Sequence, residues 1–207
     1  MYGSDLIGGS REAFLSVMEK EGKTCAVAIS ISSLRIVSTT LPKSSLDGAL
    51  RSLRRNVERR NRVLVSRRGS PTESRSISEA KNTGWKVARK IHDFCTGKNI
   101  RFSERLDFSG FTAFQKQVML TTKSIPRGKA ASYSWVAKKA GFPGACRAVG
   151  NVMAANPFSP IVPCHRVVRS NGELGNFGGG TPTKKKLLLL EGVQFDRNLI
   201  SQDYLLK

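Results

Sequence analysis

The first hundred residues combine two hydrophobic periodicities. From residue 24 to residue 40 the chain reads TCAVAISISSLRIVSTT, a run rich in β-branched residues with a break at Ser32-Ser33. This pattern predicts two paired β-strands. The stretch from Leu46 to Val57 has helical spacing, and a second helical pattern begins after Ser78, a suitable N-cap. Residues 100–108 predict a further strand and crossing segment.

The sequence LDFSG at residues 106–110 is typical of a boundary between two domains. Ser109 and Gly110 can supply the turn and the cap of a helix predicted over residues 111–124. The predicted units are an N-terminal α/β domain at residues 1–105 and a mostly helical C-terminal domain at residues 106–207.

Two short helices are predicted on either side of GFPG, residues 141–144. Ser132 is a good N-cap for the first, and Asn156-Pro157 ends the second. Two short helices joined by a tight glycine-containing turn are typical of a helix-turn-helix motif, although many helical bundles contain similar corners.

The second of these helices, ACRAVGNVMAA, is rich in small residues and carries Arg147 near its start. Two interpretations are equally open. The small side chains allow close packing against another helix, or they allow the helix to enter a narrow nucleic-acid groove with Arg147 as a probe.

The charge of the chain favours a polyanionic partner. Thirty-five Lys and Arg residues face fifteen Asp and Glu residues, a net charge of +20. Nucleic acid is the favoured partner because each neutralised phosphate releases counterions. An anionic membrane surface or a salt-rich cytoplasm are the alternatives. The arginines of residues 51–68 predict a solvated charged face more readily than a phosphate-contacting patch. They are Arg51, Arg54, Arg55, Arg59, Arg60, Arg62, Arg67 and Arg68.

The longest apolar run is LLLL at residues 187–190, too short to cross a membrane, and the N-terminus lacks the pattern of a secretory signal. We therefore expect a soluble intracellular protein, cytoplasmic or, in a eukaryote, nuclear.

The four cysteines include no CxxC pair, and there are only two histidines. This pattern argues against a zinc site and against a disulfide framework. Cys164 and His165 are adjacent in the strand-like segment IVPCHRVV. The pair is either a buried structural cysteine with a neighbour or an activated nucleophile. Glu191, at the end of a predicted helix, is a candidate for orienting the histidine.

The segment RAVGNVMAANPFSPIVPCHRVV, residues 147–168, resembles the active-site region of the O6-alkylguanine-DNA alkyltransferases. LDFSGFTAFQKQVM, IPRGKAASYSWVA, GNFGGG and LLLLEG follow the order and spacing of that family, so the resemblance covers residues 106–193. It implies an α+β fold in which a ribonuclease-H-like α/β domain precedes a mostly helical, winged-helix-like domain with the helix-turn-helix.

The resemblance also implies a reaction without cofactor or metal. Cys164 would irreversibly take the alkyl group from O6-alkylguanine, or from O4-alkylthymine, so that each chain acts once. His165 would accept the thiol proton through a water, Glu191 would hold His165, and Tyr133 would donate towards guanine N3.

The damaged base must leave the duplex to be reached. The resemblance implies that Arg147 fills the gap and that the helix lies in the minor groove, unlike most helix-turn-helix proteins. The other implied DNA contacts are Ser132 and three alanines, Ala148, Ala154 and Ala155. The implied partner is duplex DNA with an alkylated guanine, bound by a monomer that needs no protein partner and no membrane.

The implied substrate pocket has six members. Asn156 acts as a hinge, Pro163 shapes the cysteine turn, and Val167 and Gly178 offer main-chain groups to guanine. Met153 and Phe177 complete the wall. Many relatives have Tyr at the position of Phe177 and Ser at that of Gly178, so the pocket departs from the family pattern and its tolerance for large alkyl groups is open.

Three other functions compete with alkyl transfer. A non-catalytic sensor of alkylguanine would lack the reactive cysteine that is present here. A helix-turn-helix regulator would leave the PCHRV segment and Glu191 unexplained. A Cys-His hydrolase usually separates the two residues along the chain, whereas here they are adjacent.

Overall fold

The computed structural model describes residues 12–30, 33–58, 63–65 and 75–207, and it has a mixed α+β architecture. The N-terminal half contains one four-stranded sheet in the order β3-β2-β1-β4, with β4 parallel to β1 and the other pairs antiparallel. Its elements are β1 (Glu12–Lys20), β2 (Lys23–Ser30), β3 (Ile36–Thr39), α1 (Leu46–Glu58), β4 (Val63–Val65) and α2 (Arg75–Cys95).

Strand β2 is buried on both faces of this sheet. Ala26 and Ala28 pack with Leu53 of α1 on one face, whereas Val27 and Ile29 pack with the α2 side on the other. A strand covered by helices on both sides reads as a continuous apolar run, which is why CAVAI is apolar without alternation. The two predicted strands and the helix from Leu46 are confirmed.

Strand β1 was missed by the sequence patterns. It pairs with β2 along its whole length, from Ala13↔Ser30 to Lys20↔Lys23. Glu21 and Gly22 connect the strands with φ of 52° and 66°. Positive φ at both central residues is the geometry of a two-residue hairpin turn, so the Glu-Gly pair was the local signal for β1.

The C-terminal half is mainly helical. Its two-stranded parallel sheet joins β5 to β6, and an antiparallel hairpin joins β7 to β8. The elements are α3 (Ala113–Lys123), β5 (Ala131–Ser132), α4 (Tyr133–Lys139), α5 (Cys146–Ala154), a 3-10 turn (Cys164–Arg166), β6 (Val167–Val168), α6 (Thr181–Leu190), β7 (Phe195–Asp196), β8 (Leu199–Ile200) and a second 3-10 turn (Gln202–Tyr204). The two helices predicted around GFPG are α4 and α5.

Three details of the sequence prediction are wrong. Ser78 lies inside α2 rather than at its N-cap. Residues 100–108 contain no strand, only an isolated bridge between Leu106 and Ile36. The cap of α3 is Thr112 rather than Ser109 or Gly110. Thr112 Oγ1 accepts from Gln115 N at 3.2 Å, and Gln115 Oε1 accepts from Thr112 N at 3.0 Å. This reciprocal capping box sits three residues later than the turn-forming residues suggested.

We expect Thr112→Ala to lower the free energy of unfolding by about 1 kcal/mol, because the N–H of Gln115 at the start of α3 loses its side-chain acceptor. Thr112→Ser retains the acceptor and is the control. Chemical denaturation of both variants measures the difference. An equal loss in the two variants would contradict the capping role.

The two halves share one hydrophobic core. Val27 and Ile91 belong to the same buried cluster as Val118 and Cys164. Main-chain hydrogen bonds also join the halves, from Asp107 N to Ile36 O at 2.8 Å and from Thr39 N to Pro157 O at 2.8 Å. The N-terminal sheet is therefore packed directly against the segment that carries the cysteine.

None of the helices in the described ranges combines the length and apolar character needed to cross a membrane. On α1 the side chains of Arg51, Arg54 and Arg55 are exposed. The remaining arginines of the basic segment lie outside the described residues, namely Arg59, Arg60, Arg62, Arg67 and Arg68.

Candidate active site

Cys164 lies on a 3-10 turn rather than on the strand that its neighbours suggested. Pro163 precedes the turn with φ −80° and ψ 66°, and Cys164 N donates to Val162 O at 2.8 Å. Strand geometry begins only at Val167, where β6 pairs with β5. The side chain of Cys164 is 5% exposed, so the turn presents a buried thiol at the edge of the shared core.

The ring of His165 is fully buried and is bound to Glu191. His165 Nε2 and Glu191 Oε1 are 3.2 Å apart. Phe94 of α2 packs on the same ring, with the ring centroids 5.7 Å apart. His165 Nδ1 has no hydrogen-bond partner within the described part of the chain. The sequence-predicted pair of His165 and Glu191 is thus brought together by α6, which ends at residue 190.

Arg166 completes this cluster and was not singled out from the sequence. Its Nε and Nη2 donate to the two oxygens of Glu191 at 2.8 and 2.6 Å, and Nη1 donates to the carbonyl oxygen of Ile125. A two-point guanidinium–carboxylate bond of this kind fixes both charge and orientation. Its position directly after His165 was the only available signal.

Burial alone would raise the pKa of the Glu191 carboxyl, but hydrogen bonds and charge from His165 and Arg166 outweigh it and lower the pKa to about 2. Burial, together with the charges of Arg166 and Lys184, lowers the pKa of His165 despite the opposing effect of Glu191. Glu191 is therefore ionised while His165 is neutral. Because an ionised carboxylate only accepts, Nε2 must carry the proton of the neutral ring and Nδ1 a lone pair.

Burial raises the pKa of the Cys164 thiol, and the polar side chains of Asn156 and Ser159 and the charge of Lys184 act against it. No direct hydrogen bond joins the thiol to the His165 ring in the described residues. The resting group is a protonated thiol, so its reaction needs a proton acceptor at the moment of attack.

Lys184 is the second functional candidate that sequence reasoning missed. It is 0% exposed, and its Nζ donates to the carbonyl oxygens of Val167, at 2.6 Å, and Leu174. The Tyr133 and Phe177 rings have centroids 5.9 and 6.0 Å from Nζ. Burial lowers its pKa to about 8, so it still carries most of its charge at neutral pH. In the sequence it is the first member of a KKK run, which reads as exposed.

Tyr133 reaches the same region through the short parallel sheet. Ser132, immediately before it, pairs with Val168 and caps α4 by accepting from Trp135 N at 3.0 Å. Burial, and then the neighbouring Cys164, raise the pKa of the Tyr133 hydroxyl. The phenol therefore remains a hydrogen-bond donor at neutral pH.

A cleft of about 180 Å³ opens beside Cys164. Four of the six predicted pocket residues line it, namely Met153, Asn156, Phe177 and Gly178. Pro163 and Val167 do not line this cleft, and the Val167 carbonyl already accepts from Lys184. A Cβ added at Gly178 would meet no atom within 4 Å, so packing does not require glycine there.

Asn156 ties the end of α5 to the cysteine segment. Its Nδ2 donates to Val162 O at 2.8 Å, and its Oδ1 accepts from Phe158 N at 2.9 Å. These two bonds span the connection that the sequence assigned to a hinge. They transmit the position of α5 to the residues directly before Cys164.

The outer face of α5 is formed by Arg147, Ala148, Ala154 and Ala155, all exposed, whereas Val149, Val152 and Met153 are buried. Packing within the described fold does not account for these three alanines. The structure therefore shows a low-profile exposed face on α5, and its entry into a nucleic-acid groove stays a prediction. Ser132 is half-buried at the start of α4.

The fold and the site define a class of protein. A thiol is buried beside a His-Glu-Arg cluster, next to a basic pair of short helices with a low, exposed face. The family model of the 6-O-methylguanine DNA methyltransferase DNA-binding domain matches residues 113–193.

Curated relatives agree with this match. The methylated-DNA–protein-cysteine methyltransferase of Methanothermobacter thermautotrophicus is 41% identical over 112 residues, 54% of this chain and 62% of that protein. The protein of the same name from Mycolicibacterium paratuberculosis is 36% identical over 121 residues, 55% of this chain and 73% of that protein. The chain thus spans less than two thirds of the first relative.

Solved structures extend the likeness beyond the matched half. Mycobacterium tuberculosis OGT in complex with DNA is 26% identical with a TM-score of 0.61, over 86% of this chain and 92% of that one. The O6-methylguanine-DNA methyltransferase of Pyrococcus kodakaraensis is 26% identical with a TM-score of 0.61, over 87% and 99%. The chain belongs to the methylated-DNA–protein-cysteine methyltransferase family, as the resemblance in its sequence predicted.

Proposed function

We propose that this protein repairs duplex DNA by moving the alkyl group of O6-alkylguanine to its own Cys164. The observation that carries the proposal is the buried thiol on a cleft, beside a histidine whose one ring nitrogen is held by Glu191 and whose other is an unused acceptor. O4-alkylthymine presents the same alkylated oxygen and is a second substrate of this chemistry. No cofactor is needed, because the thiol supplies the electron pair.

The proton path follows from the histidine tautomer. The thiol proton passes to His165 Nδ1 through one water, since no direct bond joins the two groups. Glu191, fixed by Arg166, stabilises the imidazolium that forms. The sulfur then attacks the alkyl carbon, the C–S bond forms and the C–O6 bond breaks. The imidazolium of His165 gives its proton back through the water, the guanine anion takes up one proton as it is released, and the product is a stable thioether.

The departing purine develops negative charge, and donors aimed at that charge lower the barrier. Tyr133 keeps its proton and donates to guanine N3. Lys184 acts as a positioning residue that orients the Val167 main chain and sets a positive charge near the thiol. The Val167 carbonyl retains one lone pair for guanine, and Gly178 offers its main-chain N–H. Met153 and Phe177 form the apolar wall, and Pro163 shapes the cysteine turn.

DNA binding is assigned to the exposed face of α5. Arg147 enters the base stack in place of the extruded nucleotide, while Ala148, Ala154 and Ala155 allow the helix to lie in the minor groove. Ser132 contacts the backbone from the start of α4, and Asn156 couples the helix to the cysteine turn. The protein acts as a monomer without a protein partner, in the cytoplasm or nucleus where its DNA is.

We also propose the finer description of the fold. The mixed sheet with a helix on each face supports a ribonuclease-H-like N-terminal domain at residues 1–105. The α4–α5 pair, followed by the β7–β8 hairpin, supports a winged-helix-like C-terminal domain at residues 106–207, with α4 and α5 as its helix-turn-helix. Superposition on solved domains of both classes tests this description.

The decisive experiment is intact-protein mass spectrometry after mixing the protein with a duplex that carries one O6-methylguanine. We expect one methylene unit to be gained per chain, mapped to Cys164 and absent in Cys164→Ala. Cys146→Ala is the matched control and should react like the parent protein. An unchanged mass with selective binding of the damaged duplex would instead assign the protein as a lesion sensor.

A further inference from the structure

We propose that Lys43 and Arg55, both from the N-terminal half, form a phosphate-binding wall at the mouth of the Cys164 cleft. This wall binds the backbone phosphates that flank the extruded nucleotide. The inference rests on the proposed function and adds to it a second DNA contact, made by the other half of the chain from the residues of α5. It also gives part of the arginine-rich segment a role.

The N-terminal half is hydrogen-bonded to the segment that precedes Cys164. Thr39 N donates to Pro157 O at 2.8 Å, and Ser38 Oγ donates to the same oxygen at 3.1 Å. Thr39 Oγ1 donates to Ser159 O at 2.7 Å. Strand β3 is therefore bonded to the segment directly before Cys164, and the residues that follow β3 have a fixed position at the cleft.

Helix α1 is fixed to the same strand. Asn56 Nδ2 donates to Ser38 Oγ at 3.4 Å, and Leu53 is buried against the sheet. Ser52, Arg55 and Asn56, spaced as one face of a helix, line the cleft together with Lys43. Met153 and Phe177 line it from the C-terminal half. The cleft thus has one wall from each half.

The charge of the N-terminal wall has one sign. Lys43 and Arg55 are the basic residues among the described lining residues of the cleft, and no carboxylate is among them. Within the described ranges neither cation has an ion pair or a side-chain hydrogen bond. Proteins bind phosphate through the two-point hydrogen bonds of an arginine guanidinium and through the compact charge of a lysine ammonium. This wall offers one residue of each kind, and neither is paired in the part of the chain that the structure describes.

The size of the cleft determines which part of the substrate meets this wall. Its volume is about 180 Å³, room for several waters. A flat base enters such a space, whereas its sugar and phosphates remain at the mouth. The anionic groups of the extruded nucleotide therefore lie at the level of the basic wall.

The test compares a substrate with phosphates to one without. We expect Arg55→Ala and Lys43→Ala each to slow methyl transfer from an O6-methylguanine duplex by about 10-fold at physiological salt, because each loses about one phosphate contact. Transfer from the free O6-methylguanine base should be unchanged within about 2-fold. Arg55→Lys should recover part of the duplex rate.

Arg54→Ala is the matched control, since Arg54 is exposed on the same helix but does not line the cleft. If Arg54→Ala slowed transfer from the duplex as much as Arg55→Ala, the effect would come from the overall charge of the protein and not from the cleft. An equal loss on duplex and free base would show a structural change in the cleft. Either result overturns the phosphate wall.

Binding separates this inference from the proposed function. In a Cys164→Ala background, which cannot transfer, the affinity for the O6-methylguanine duplex is measured over a range of salt concentrations. We expect Arg55→Ala to reduce the slope of log K against log salt by about 0.9. An unchanged slope rejects the wall even if transfer occurs. The converse result is that the parent protein transfers no alkyl group while Arg55→Ala still reduces the slope. That result would reject the proposed alkyl transfer and leave the phosphate-binding wall in place.

Discussion

Glu191→Gln is expected to slow methyl transfer from an O6-methylguanine duplex by at least about 100-fold, because the imidazolium of His165 loses the charge that stabilises it. The neutral amide also leaves the positive charge of the Arg166 guanidinium without a negative charge beside it. Single-turnover kinetics, read as the methylated fraction of the protein by mass spectrometry, measure the rate.

The same substitution should lower the free energy of unfolding by about 3 kcal/mol, the cost of leaving one partner of a buried ion pair without the other. Glu173→Gln is the control, because the Glu173–Arg169 pair is exposed, with 45% and 58% of the side chains accessible. We expect that variant to lose no more than about 0.5 kcal/mol and to keep the parental rate. Similar behaviour of the two variants would contradict the role of Glu191.

The pH dependence of stability has a defined sign for this group. The folded pKa of Glu191 is about 2, below the ordinary value of 4.5, so its contribution is fully present above pH 4.5. It is lost as the pH falls from 4.5 towards 2, and amounts to about 3 kcal/mol. Urea unfolding across this window should show the loss in the parent protein and a flatter profile in Glu191→Gln.

Lys184→Met is expected to slow transfer by about 100-fold while changing the free energy of unfolding by no more than about 1 kcal/mol. The two effects separate because the buried ammonium is itself costly. Its pKa falls from 10.5 to about 8, a penalty of about 3 kcal/mol at neutral pH that methionine removes. The lost bonds to two carbonyl oxygens cost a similar amount.

The pH profile of transfer distinguishes positioning by charge from simple packing. In the parent protein the rate should fall as the pH rises above about 8, where Lys184 loses its proton. In Lys184→Met this fall should be absent and the rate low throughout. Lys186→Met, an exposed neighbour in the same lysine run, should keep the parental profile. A parental rate in Lys184→Met would remove Lys184 from the site.

Much of the C-terminal half was predictable from local pattern. The α4–α5 pair follows from an N-cap at Ser132 and the break at GFPG, which act within a few residues. The end of a helical run made Glu191 a candidate for orienting His165, and the resemblance implied their pairing. The resemblance over residues 106–193 named the family that the comparisons confirm.

Other features depend on contacts between distant parts of the chain. Arg166 and Lys184 look like exposed basic residues in the sequence, and only the folding of α6 over the cysteine turn buries Lys184 and joins Arg166 to Glu191. Strand β1 was missed because the turn residues Glu21-Gly22 are the strongest local signal of its pairing with β2, and that signal is weak. No local pattern places Arg55 at the cleft, since hydrogen bonds from β3 to Pro157 and Ser159 do so.

The sequence by itself determined the adjacent Cys164 and His165 and the helix pair, because these depend on residue identity and short-range periodicity. Only the tertiary structure decided which charges are buried and which wall faces Cys164. Those properties arise from packing two halves into one core, where residues more than a hundred positions apart exclude water from each other.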